Sequence, residues 1–172
     1  MKDDTYRLLV IRLSAMGDVA MTIPILNALV KKYPELRITV LTKKALGPLF
    51  DDIPNLKVHI ADVKGIHKGL RGQWRLYQEL QKSQINAVAD LHNVLRSNLL
   101  KRYFRISGTP FVQIDKGRKE KRALTSLKNK DFKPLKSTLE RYCAVFEKLG
   151  FPLDLSTVKP LPKKDLSEKT LA

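Results

Sequence analysis

Branched apolar residues fill Arg7-Leu8-Leu9-Val10-Ile11-Arg12-Leu13 between polar flanks, the pattern of a strand buried on both faces. The period then changes. Val19, Ile23, Leu26, Leu29, Val30 and Tyr33 recur at three- and four-residue spacing, which predicts one helix over residues 19–33 with Lys31 and Lys32 at its negative end. Pro24 must lie near its first turn or kink it. Further strands are expected at residues 37–41, 57–61, 85–91 and 111–114, with a short helical patch at 45–50. Helices are expected at residues 73–82, 95–103 and 137–149, the last closed by Gly150 as its C′ residue with Pro152 beyond. Between residue 114 and residue 137 the pattern reads as a basic connection.

Strands that alternate with helices predict an α/β fold with an open, mostly parallel sheet flanked by helices, because each parallel pair needs a right-handed crossover. Ligands of such sheets gather at the carboxyl ends of strands. The segments to inspect are therefore residues 14–18, 42–44, 62–71, 92–96 and 115–121. After Gly150 the apolar period decays through Pro152, Pro160, Pro162 and Lys163-Lys164. Residues 1–152 are thus expected to form one domain, and residues 153–172 either an ordinary frayed terminus or a linker toward a further domain.

A chain of 172 residues with 43% hydrophobic residues can bury a core, and disorder is not expected. The most apolar stretch, residues 19–30, is interrupted by Thr22, Pro24 and Asn27 and falls short of the ~18 residues a membrane span needs. No export signal is read at the N-terminus, so a cytoplasmic protein is expected. The lone Cys143 sits in an amphipathic stretch and reads as a core thiol.

Charge changes the picture more than composition does. The formal net charge is +16, and three segments hold almost all of it: residues 116–136 at +7, and residues 64–75 and 96–105 at +4 each with no acid. A field so localised points to an anionic partner: nucleic acid, phosphorylated sugar or membrane surface. Few aromatics interleave with these cations and no helix-turn-helix or RNA-binding signature is present, so no specific nucleic acid is expected.

The first strand-to-helix connection is Ser14-Ala15-Met16-Gly17-Asp18, where a dinucleotide fold needs G-x-G-x-x-G and a P-loop needs G-x-x-x-x-G-K-[ST]. Neither is there. Gly17 still permits a tight turn and a weak anion site at a helix start. Asp18 is open to two roles, a helix cap or a base at the ligand edge. His59, His67 and His92 lack metal-ligand spacing, so no metal site is expected. A hydrolase triad of Ser14, Asp90 and His92 lacks the G-x-S-x-G elbow.

Arg12-Leu13-Ser14-Ala15-Met16-Gly17-Asp18-Val19 followed by Thr22-Ile23-Pro24-Ile25-Leu26 resembles the N-terminal signature of the ADP-heptose:lipopolysaccharide heptosyltransferases, glycosyltransferase family 9. Lys32-Tyr33-Pro34, Asp90-Leu91-His92-Asn93-Val94-Leu95-Arg96-Ser97, Arg141-Tyr142 and Leu149-Gly150-Phe151-Pro152 agree with it in order, so the resemblance runs over about residues 7–152. It implies a Rossmann-like N-terminal half of a two-domain GT-B enzyme, inactive without its C-terminal half. It further implies an inverting, metal-independent transfer of heptose from ADP-heptose to the lipopolysaccharide inner core, with no cofactor beyond that donor. Asp18 matches the general base, and Ser14, Ala15, Met16 and Gly17 would form the donor-proximal loop. Lys64, Lys68, Arg71, Arg96, Lys116, Arg118, Lys119, Lys121 and Arg122 would bind the carboxylates and phosphates of a Kdo-lipid A acceptor. The enzyme would then work peripherally at the cytoplasmic face of the inner membrane. The alternative is a non-catalytic domain that binds an anionic glycolipid or RNA.

Overall fold

The structure, a computed structural model, describes residues 5–125 and 134–158. Five parallel strands form one sheet: β1 (Tyr6–Ile11), β2 (Leu36–Thr42), β3 (Leu56–Ile60), β4 (Ala87–Asp90) and β5 (Phe111–Gln113), in the order β3-β2-β1-β4-β5. Successive side chains of β1 alternate between two cores. Leu8 and Val10 face one with Ile38, Val40 and Ala89, while Leu9 and Ile11 face the other with Leu41 and Val88. These four side chains of β1 are fully buried, each adding roughly 1.5–3 kcal/mol of hydrophobic stabilisation. This two-sided burial is why the strand reads as a continuous apolar run.

On the first face lie α1 (Met16–Ala20), α2 (Ile23–Lys32) and α6 (Thr138–Lys148), represented by Val19, Leu26, Leu29, Tyr142 and Phe146. On the second lie α3 (Gly69–Gln81) and α4 (Leu95–Ile106), through Leu76, Leu80, Leu100 and Phe104. The single helix expected over residues 19–33 is in fact two. The Thr22 hydroxyl donates to the Val19 carbonyl at 2.6 Å, and Pro24 sits at the start of α2, where its missing N–H costs nothing. The patch near residue 45 is a 3₁₀ turn, Lys44–Phe50, and the expected basic connection contains a further helix, α5 (Arg118–Leu124).

Residues 149–152 return to the end of α2. The Phe151 ring packs edge-on against Tyr6 (5.1 Å) and Tyr33 (5.2 Å), and Lys32 Nζ and Tyr33 Oη both donate to the Pro152 carbonyl, at 2.8 and 2.9 Å. Two motifs more than a hundred residues apart in sequence therefore form one clasp. Gly150 holds φ +89, a left-handed turn that a glycine accepts without strain. Of the expected linker, Leu153, Leu155 and Val158 lie against the core, and residues 159–172 lie outside the described residues. Cys143 is buried. No helix among the described residues is long and apolar enough to cross a membrane.

Candidate active site

Strand order reverses between β1 and β4. A crevice outside the carboxyl ends of these two strands follows from that reversal, because their crossovers leave in opposite directions. Arg12 stands there. Its N–H adds a ladder bond to the Leu41 carbonyl at 3.1 Å, and its side chain, only 9% exposed, reaches both the Leu91 carbonyl beyond β4 and Asp18 Oδ2 in the first turn of α1. The guanidinium also lies 5.9 Å from the centre of the Tyr142 ring, and Tyr142 Oη donates to the Asp18 carbonyl at 3.2 Å. The ends of β1 and β4 and the helices α1 and α6 thus meet around Arg12 and Asp18.

Asp18 does not cap its helix: the residue at the cap position is Ala15, and among the described residues no side-chain cap bond is made there. It is instead one half of an ion pair whose other half is buried. Its side chain nevertheless stays 39% exposed, and Oδ1 has no hydrogen bond among the described residues. The carboxylate is fixed in place yet open to a ligand.

Across the crevice, Ser14 Oγ and His92 Nε2 are 3.3 Å apart. Burial, seconded by the charges of Arg12 and Lys116, depresses the His92 pKa to about 4, so the ring is neutral near pH 7. Asp90 does not complete a triad. Its Oδ1 accepts the His92 and Asn93 amides, both at 2.9 Å, and its Oδ2 accepts Gln113 Nε2 at 2.8 Å, so this carboxylate builds the turn after β4. Burial raises the Tyr142 hydroxyl to about 12, which keeps it a donor, and burial beside Arg118 and Arg12 lowers Lys116.

The cleft, of about 360 Å³, is lined by Ser14, Ala15, Asp18 and His92 together with Lys116, Lys121, Lys136, Arg141 and Tyr142. Of the nine cations expected to bind an acceptor, Lys116 and Lys121 are therefore beside Asp18. Arg118, Lys119 and Arg122 lie exposed on α5 outside the cleft lining. Lys64, Lys68 and Arg71 lie between β3 and the first turn of α3, and Arg96 lines a separate groove at the start of α4. Of the basic segment 116–136, residues 126–133 lie outside the described residues. In the donor-proximal loop, Met16 is 68% exposed and a Cβ on Gly17 would meet nothing within 4 Å, so this rim is open.

Arg12, Tyr142, Lys136 and Arg141 belong to the cleft although sequence reasoning gave them no site role. Arg12 carried the one usable signal, a cation closing an otherwise apolar strand. Arg141 is already engaged: it bonds Glu120 Oε2 (2.6 Å) and the carbonyls of Asp115 (3.2 Å) and Lys136 (3.1 Å), tying α5 and α6 to the cleft wall. Among the described residues, no group of three or more His, Cys, Asp or Glu side chains is arranged to hold a metal ion.

No protein-family model matches the sequence. Over 93 residues, 54% of this chain, it is 28% identical to the lipopolysaccharide core heptosyltransferase OpsX of Haemophilus influenzae, of which the match covers 26%. Among solved structures it is similar to a glycosyl transferase family 9 protein from Veillonella parvula, at TM-score 0.62 and 24% identity over 85% of this chain and 42% of that one. It is likewise similar to E. coli heptosyltransferase WaaC with ADP-2-deoxy-2-fluoro heptose, at TM-score 0.59 and 20% identity over 84% of this chain and 49% of that one. The chain spans about a quarter of the curated relative and less than half of either structure. The structural matches establish the fold, and the sequence match, at that partial coverage, bears out the heptosyltransferase resemblance.

Proposed function

We propose that this chain is the acceptor-side half of a heptosyltransferase-like glycosyltransferase. The observation that carries the proposal is Asp18, held by buried Arg12 at the strand-order reversal and still open to a cleft walled by Lys116 and Lys121. In the proposed reaction, Asp18 takes the proton of an acceptor hydroxyl as that oxygen attacks the anomeric carbon of a heptose. The bond from that carbon to the diphosphate breaks with inversion, and ADP leaves with the electron pair toward the donor half. No metal or further cofactor is invoked. Lys116 and Lys121 hold carboxylates or phosphates of a Kdo-lipid A type acceptor in the inner core of lipopolysaccharide, which orients the hydroxyl. Such an acceptor is lipid-borne, so the enzyme acts at the cytoplasmic face of the inner membrane without spanning it.

Asp18→Asn, made in a protein that carries both halves, should abolish transfer and leave ADP-heptose binding intact. Retained turnover would retire Asp18 as the base. The cations remote from the cleft favour a second reading, a non-catalytic module for anionic glycolipid or RNA. Titration of this chain with Kdo-lipid A and with RNA divides glycan recognition from polyanion binding, because RNA affinity held by phosphate contacts should collapse steeply with salt.

A further inference from the structure

The second face of the sheet ends in an apolar surface at the same edge as the cleft. Helices α3 and α4 run side by side, joined by Trp74 against Tyr103 (5.1 Å), Tyr77 against Phe104 (5.1 Å) and a hydrogen bond from Gln81 Nε2 to Ser107 Oγ (3.1 Å). Where they begin they part around a groove lined by Leu70, Gln73, Leu95, Leu99, Arg96 and Arg102. Two of its leucines are not covered: Leu70 is 72% exposed and Leu95 88%, with Ile66 (52%) just before α3 and Trp74 (47%) one turn beyond Leu70. Isolated exposed leucines need no explanation, but four large apolar side chains gathered at two helix starts do.

The surroundings say what kind of partner fits. Residues 64–75 and 94–106 contain no acid, and they carry Lys64, Lys68, Arg71, Arg75, Arg96, Lys101, Arg102 and Arg105. Lys64, Lys68, Arg71, Arg96 and Arg102 have no ion-pair partner among the described residues. The N-terminal dipole ends of α3 and α4 add to the same positive field. A small soluble anion would satisfy the cations and leave the leucines in water. A bilayer surface that carries anionic phosphates satisfies both at once.

We propose that this face docks onto the interfacial region of a membrane rich in anionic phospholipid. Leu70 and Leu95 enter the boundary between headgroups and acyl chains, Lys68, Arg71, Arg96 and Arg102 meet the phosphates, and Trp74 lies at headgroup depth. The proposal rests on the transferase reading only in that it names the surface that would meet a lipid-borne acceptor. Its test reads lipid binding without transfer, so each can fail while the other stands.

Trp74 is the only tryptophan of the chain, so its emission reports this surface alone. The 172-residue protein is mixed with vesicles of phosphatidylcholine, with or without about a third phosphatidylglycerol. Binding to the anionic vesicles only, with a blue shift and quenching by lipids brominated near the headgroup, is expected. Leu70→Gln/Leu95→Gln should weaken binding about tenfold or more and abolish the shift, with circular dichroism unchanged because both side chains are exposed. Arg96→Gln/Arg102→Gln should weaken binding and flatten its salt dependence. Unaltered Trp74 emission on vesicles that do bind the protein would overturn the proposal. So would a dimer, seen by sedimentation velocity, that the leucine variant disperses in a protein that ignores lipid.

Discussion

Arg12 does more than neutralise a neighbour. A buried guanidinium has to find oxygen acceptors, and this one takes the Leu91 carbonyl and the Asp18 carboxylate, so it couples β4 to α1 across the crevice. Replacing it with alanine leaves both oxygens without that donor and opens a gap beneath Tyr142. We expect Arg12→Ala to cost roughly 1–3 kcal/mol in denaturant unfolding, below the usual figure for a fully buried pair because Asp18 is part-exposed. Arg12→Lys should recover only a fraction of that, since an ammonium lacks the planar fork that spans two acceptors.

His92 gives the same crevice a pH signature. Its folded pKa of about 4 lies below the ~6.5 of an unfolded histidine, so between these values the unfolded chain binds a proton that the native chain refuses. Its contribution is therefore fully present above about pH 6.5 and is lost as pH falls toward 4. A shift of that size is worth about 3 kcal/mol at full effect, and because the ring is only part-buried we expect stability to drop by roughly 2 kcal/mol over that interval, and His92→Gln to remove this part of the slope. Unfolding curves at several pH values, paired with the His92 ring titration followed by NMR, check the assignment. A ring that titrates near 6.5 would refute it.

At the scale of elements, α3 shows how tightly one helix is set against the loop that feeds it. The loop holds itself: Asp62 accepts the amides of Gly65 (2.9 Å) and Ile66 (3.2 Å), the Asp62 amide donates to His67 Nδ1 (3.0 Å), and Gln73 Nε2 donates to the His67 carbonyl (2.8 Å). Gly72 passes directly over that loop, and a Cβ there would stand 2.3 Å from the His67 carbonyl carbon. That neighbour is backbone and cannot rotate away. Gly72→Ala should destabilise the protein by about 1–3 kcal/mol despite alanine's better helix propensity, measured as a lowered denaturation midpoint. Gly17→Ala, where the same atom meets open space, is the control.

Elements with an apolar stripe were legible before the structure, and those without one were not. The strands and helices around Leu8–Ile11, Leu29 and Phe146 follow from period alone. Helix α5 has no buried residue, so no stripe marked it, and its place depends on Arg141 reaching Glu120 from another helix. The break between α1 and α2 escaped for the opposite reason: Val19, Ile23 and Leu26 keep helical spacing across it. Strand order was not legible either, because strands buried on both faces carry no mark of their neighbours. Asp18 stood out through its motif, but His92 and Tyr142, which share its cleft, lie more than seventy residues away and only the fold brings them together.

For the molecule as a whole, the question is whether the cations act as a general field or as placed contacts. The formal charge of +16 attracts any polyanion, and removing two charges from anywhere weakens that attraction by a similar amount. Placed contacts behave differently. Lys116 and Lys121 line the cleft with Asp18, whereas Lys119 and Arg122 lie on the same short helix segment and miss it. Lys116→Gln/Lys121→Gln and Lys119→Gln/Arg122→Gln remove equal charge from neighbouring sites. If the cleft grips the acceptor, the first pair should weaken Kdo-lipid A binding by about tenfold, the worth of one good charge-assisted contact, and the second by no more than about twofold. Equal losses, shrinking together as salt is raised, would mean that the positive edge only gathers anions near the surface.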